Sequence, residues 1–151
     1  MACVGGKILP IWEITKPKWL KSKLCNHLAL LDYGDSVVYI EKPQIWGANF
    51  AVRSEMFQKY GMFDWNLGRR PGKLYSHEET ELLQRLLNAG EKLLYYPSSI
   101  IYHHIPDYRM TKKYIRKWRF DQGELEGILI GDTKYLDIMD MHDGADLTTK
   151  N

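Results

Sequence analysis

With 151 residues, 44% apolar and 26% charged side chains, the chain has the size and make-up of a single globular domain, which excludes fibrous and disordered classes. A formal net charge of +2 is too small to imply a nucleic-acid or membrane partner, and its distribution says more. Two cysteines without a C-x-x-C exclude a disulfide framework or zinc ribbon, and with no apolar run near 18 residues and no signal-peptide pattern the expected compartment is the reducing cytoplasm.

Residues 2–12, ACVGGKILPIW, predict a buried strand broken at Gly5–Gly6 and closed by Pro10. A lysine- and proline-bearing loop with a short helix follows to residue 36, and SVVYIE at 36–41 predicts a second strand. Within 45–64 the pattern predicts a short strand and then a helix capped by Ser54 and stopped by Gly61. NLGRRPGKLYS, with its glycines, proline and cations, reads as a mobile loop. Leu82, Leu83, Leu86 and Leu87 mark one face of a helix over about 77–89. EKLLYYP and SSIIYHH read as strands, and Thr111 caps a basic helix running to about 122. Strands alternating with helices and no internal repeat favour an α/β sheet.

Three places carry chemistry. Ser76-His77-Glu78-Glu79 fits a capping box, in which the Glu79 carboxylate reaches back to the N-cap amide, and carboxylates in a first turn also gain from the helix dipole. The same position suits a catalytic base. His103 and His104 are adjacent on a strand, so they face opposite sides and one of them is the candidate metal ligand. RMTKKYIRKWR at 109–119 holds six cations and no acid, whereas 121–151 holds eight acids and two bases. Such a helix can be a solvated face, a diphosphate site or, through Tyr114, Trp118 and Phe120, a single-strand binder.

The order of VGGKILPIW, WGANFAVRSEMFQKYGMFD, HEETELLQRLLNAGEKLLYYP, IIYHHIP and RKWRFDQG resembles the C-terminal half of GT-A fold glycosyltransferases, family 2, which are inverting enzymes using nucleotide-sugar donors. The resemblance covers roughly residues 2–124. It implies a mixed sheet flanked by helices, with 1–124 the acceptor-side part of the catalytic domain and 125–151 an acidic tail. Gly47, Ala48, Asn49, Ala51 and Arg53 match the family's G-A-N-x-A-x-R segment, and Gly61, Phe63 and Asp64 its G-x-F-D turn. Glu78, Glu79, Thr80 and Glu81 stand where the family has an acidic pair, a threonine and an acid. The second of the pair, Glu79, is then the general base for the acceptor hydroxyl, with Glu78 in reserve. Glu where the family has Asp adds one methylene to its reach. Trp46, Gly47, Asn49, Arg53, Asp64 and Trp65 become the expected substrate-binding residues. Arg116, Arg119 and Gln122 become donor-diphosphate contacts, and His103 the metal ligand.

The family's D-x-D motif, which holds Mn²⁺ or Mg²⁺ against the diphosphate, is absent; Asp140-Met141-His142 lies too late in the chain to serve. The resemblance therefore implies a fragment that is inactive alone, with a UDP-sugar donor and a saccharide or lipid-linked acceptor for the whole enzyme. Association with a membrane surface, and self-association through an uncovered sheet, are also expected. A non-catalytic saccharide or anion module and a nucleic-acid binder are the alternatives.

Overall fold

A computed structural model describes residues 1–131. Strands β1 (Cys3–Trp12), β2 (Val38–Ile40), β3 (Phe50–Val52) and β4 (Leu93–Ile105) form one mixed sheet in the order β2-β4-β1-β3. β1 and β4 run parallel, and the short β2 and β3 flank them antiparallel. Helices α1 (Ser54–Tyr60), α2 (Glu78–Asn88) and α3 (Lys112–Gly131) complete an α/β architecture.

β1 is neither broken by its glycines nor closed by Pro10. Gly5 and Gly6 pair with Tyr95 and Tyr96, and the register then jumps so that Lys7 pairs with Ile100. Pro97, Ser98 and Ser99 are thus looped out of β4, which is one continuous strand rather than two. Asn49 stitches this irregularity: its Nδ2 donates to the carbonyls of Lys7 and Ser99, each at 3.0 Å, and its Oδ1 accepts from the Ser99 hydroxyl at 3.2 Å. Only glycine fits at position 6, because a Cβ there would overlap the Ser99 carbonyl and the Asn49 amide. Pro10 is tolerated because Ile8, two residues earlier, bonds Leu31 on the outer side of β1. The missing N–H of Pro10 therefore faces the edge beyond that single bridge.

One core joins sheet and helices: Ile8, Ile40, Ile45, Met56, Leu93 and Tyr95 pack with Leu82, Leu83 and Leu86, the predicted leucine face of α2. A second cluster, Leu20, Leu28, Ile105, Met110 and Ile115, fixes the start of α3. Thr111 caps that helix as expected, its Oγ1 accepting from the Tyr114 amide at 3.1 Å. α3 runs past the expected end near 122, because Leu125 and Leu129 bury against Leu67 and Tyr75. Residues 125–131 thus belong to a packed helix, and the rest of the acidic tail, with Asp140-Met141-His142, lies outside the described residues.

The glycine- and arginine-bearing loop is tied down rather than loose. Asp121, 1% exposed, accepts from the Leu74 amide at 2.8 Å and from Lys117 at 2.8 Å. Lys117 also donates to the Gly72 carbonyl, Gln122 to the Leu74 carbonyl, and Lys73 pairs with Glu124. α3 is the strut against which residues 72–76 are held.

Candidate active site

The N-terminus of α2 decides what the three carboxylates do. Its N-cap is His77, not Ser76, and no side chain caps it; the Ser76 hydroxyl turns instead to Gln122 Oε1 at 3.4 Å. The capping box therefore does not form, which frees the Glu79 side chain. Glu81 is structural: it is buried and holds Arg85, whose guanidinium also donates to the carbonyls of Tyr60 and Met62 and so pins the chain leaving α1. Glu78 and Glu79 are left for chemistry.

Glu79 points across to the turn Gly47–Asn49. Its carboxylate accepts from the Gly47 N–H and from its own backbone N–H, while burial raises its pKa above the ordinary value. A Cβ on Gly47 would overlap Glu79 Oε1, so glycine there lets the carboxylate approach the backbone. Glu78 lies against Gly68, with Oε2 buried and lacking a hydrogen-bond partner. Burial, and next the negative charge of Glu79, push its pKa up to about 7. The Arg69 guanidinium partly offsets both effects, and its Nη1 lies 3.5 Å from the Tyr114 hydroxyl of α3. Two half-buried carboxylates, one arginine and two glycines thus converge from α2, the Gly47 turn and the Trp65–Arg69 loop. A carboxylate pair whose pKa values are raised toward neutrality can accept a proton at physiological pH.

The other expected binding residues take different places. Trp46 packs on the main core and donates from Nε1 to the Leu30 carbonyl at 3.1 Å, so its ring is spent on structure. Asn49 is occupied at the sheet irregularity. Arg53 is the N-cap residue of α1 where Ser54 was expected; it is exposed and lies 3.6 Å from Glu55. Asp64 caps the turn Trp65–Leu67, accepting from the Asn66 amide at 3.0 Å. That turn is anchored beside α2 by the His77 amide bonding the Leu67 carbonyl, and Trp65 on it is 81% exposed. Of the two tryptophans, only Trp65 has a face free for a ligand.

Arg116 and Arg119 are exposed on α3, while Gln122 is buried and engaged with the loop at Leu74 and Ser76. His103 is half-buried with Nε2 3.3 Å from Arg109 Nη1. Burial and that guanidinium lower its pKa. A neutral imidazole can ligate a metal, but one beside a fixed cation is a poor donor to a divalent ion. Among the described residues no three His, Cys, Asp or Glu side chains come together as a metal site. The described residues therefore do not fit a complete metal centre.

Two participants escaped the sequence reading. Arg69 sat in a stretch read as mobile, and its nearness to Glu78 is a product of the fold. His27 is buried, its Nε2 2.9 Å from the Arg109 carbonyl and its ring tilted between Tyr114 and Trp118. It locks the loop before β2 to the start of α3, and no local pattern in the sequence marks it.

No family model matches the chain, and no solved structure matches it. It is similar to the glucosyl-dolichyl phosphate glucuronosyltransferase of Haloferax volcanii, with 24% identity over 121 residues, 80% of this chain. The chain spans 39% of the length of that relative. The likeness supports a connection with glycosyl transfer.

Proposed function

We propose that the chain is the acceptor-side part of a GT-A, family 2 inverting glycosyltransferase, with Glu79 as general base and Glu78 as its partner. The observation that carries this is the half-buried carboxylate pair at the start of α2, with Glu79 held on the Gly47 turn and Glu78 beside Gly68. The glycosyltransferase likeness over 80% of the chain supports the same class.

In this reading an acceptor hydroxyl hydrogen-bonds to Glu79. The ionised carboxylate takes its proton as the oxygen attacks the anomeric carbon of a nucleotide-sugar, the donor diphosphate leaving from the opposite face. Glu78, held partly protonated near neutral pH by burial and by Glu79, raises the proton affinity of its neighbour only when it too is ionised. Trp65 is a stacking surface for a sugar ring at the mouth of the site, and Arg116 and Arg119 are cations for the diphosphate. A Mn²⁺ or Mg²⁺ ion, if the whole enzyme uses one, would need ligands from outside the described residues, since His103 beside Arg109 is a poor donor. The relative's acceptor is a glucosylated dolichyl phosphate, so we propose a glycosylated polyisoprenyl phosphate as the acceptor class here.

Ligand-observed NMR with a short-chain glucosyl isoprenyl phosphate tests this. Saturation transfer to the sugar protons, lost in Trp65→Ala and Glu79→Ala, is the expected result. Equal transfer in both variants, or none in the parent chain, would remove the proposal.

A further inference from the structure

Thr15 to Lys23 reads TKPKWLKSK, and Arg109 to Arg119 reads RMTKKYIRKWR; neither stretch contains an acid. Distant in sequence, they are closed onto each other by the fold. Leu20 of the first and Ile115 of the second are buried in one cluster, with Trp19 packed at its margin. Lys112 Nζ stands 5.6 Å from the centre of the Trp19 ring. With the apolar side chains of both stretches spent on that cluster, Lys18, Lys21, Lys112, Lys113 and Arg116 face solvent. One turn beyond Arg116, Phe120 is 72% exposed on the same outward face of α3. The inward face is accounted for by Ile115, Asp121, Gln122, Leu125 and Leu129.

We propose that this surface docks on an anionic lipid bilayer. Its cations are spread over an outward helix face and a neighbouring loop, which suits a plane of phosphates better than one enclosed anion. An exposed phenyl ring among lysines is the side chain an interfacial helix sinks into the headgroup boundary. Each lysine near an anionic surface adds an attraction that salt weakens. A nucleic acid could use the same cations. Past Phe120, however, the outward face carries Gly123 and Gly127 and offers a phosphate strand no further partner, while a bilayer needs only the shallow apolar foot already present. The surface shares Arg116 with the donor contacts of the glycosyl-transfer reading but no residue with the carboxylate pair, and the charge reversals at Lys18 and Lys112 test it apart from that reading.

Flotation of the 151-residue chain with phosphatidylcholine vesicles, with and without phosphatidylglycerol, is the test. Binding is expected only with phosphatidylglycerol, and salt should weaken it. Lys18→Glu with Lys112→Glu should cut it roughly tenfold or more, taking about 1 kcal/mol per cation removed. Lys42→Glu with Lys92→Glu, an equal charge change at exposed sites elsewhere, should leave the partition coefficient within twofold. Phe120→Ser should weaken binding without changing the salt slope. Circular dichroism verifies that each variant is folded. Equal binding to neutral vesicles, no binding, or full binding by Lys18→Glu with Lys112→Glu would overturn the proposal. So would tight oligonucleotide binding in place of vesicle binding, which would assign the surface to nucleic acid.

Discussion

Glu79 Oε1 stands where a Cβ on Gly47 would be, and the Gly47 amide donates to the same carboxylate. The base candidate on α2 is thus positioned by the backbone of a turn thirty-two positions earlier in the chain, a turn that Asn49 in turn fastens to the sheet.

Gly47→Ala forces Glu79 out of this seat. We expect a loss of about 1–3 kcal/mol, in the range for overpacking a close contact, measured by chemical denaturation. Gly127→Ala is the matched control. That glycine is helical with open space around it, so the change should stabilise the chain by about 0.4–1 kcal/mol.

Glu78 gives the chain a pH signature. Its pKa rises from an ordinary 4.5 to about 7, so the folded chain holds that proton more tightly than the unfolded chain. The stabilisation is complete below about 4.5 and is lost as pH rises through about 7. Melting should therefore show the parent chain losing on the order of 2 kcal/mol between pH 5 and pH 8 relative to Glu78→Gln. A constant difference between the two across that range would contradict the burial of Glu78.

Asn49→Ala leaves the Lys7 and Ser99 carbonyls and the Ser99 hydroxyl without their partner. A cost of about 2–4 kcal/mol is expected, with faster hydrogen exchange centred on residues 5–8 and 96–101. If stability holds, the amide is free for a ligand and the stitching role is wrong.

Asp121→Ala removes the acceptor for the Leu74 amide and the partner of Lys117. The expected cost is about 2–3 kcal/mol, below that of a fully buried pair because Lys117 is half exposed. Trypsin should then cut faster at Arg69 or Lys73 while α2 stays protected.

The positions of the helices and of the strand material in β1 and β4 are legible because leucine periodicity and apolar runs are local signals, whereas the continuity of both strands is not. The α2 leucine face and the Thr111 cap stand where their patterns put them. What the sequence misjudged depends on partners far along the chain. Pro10 reads as a strand end until the free edge beside it is known, and Ser76 reads as an N-cap until Gln122 is found to engage it. The basic pattern predicts a helix end near 122, yet Leu125 and Leu129 continue its buried face, with Asp121 one of its anchors. The carboxylate pair was visible as residue types, but a capping box and a catalytic pair have the same letters. Only the path of the Gly47 turn separates them, and Arg69 joins the site through the same long-range packing.

The most direct measurement is a carboxyl-carbon NMR titration of Glu78 and Glu79, assigned with Glu78→Gln and Glu79→Gln, with and without the glucosyl isoprenyl phosphate. Two coupled steps above the ordinary glutamate range are expected, with the Glu79 resonance shifting when the acceptor binds. Both carboxylates titrating near 4.5, with neither responding to the acceptor, would contradict the assignment of this pair as the acceptor-activating site.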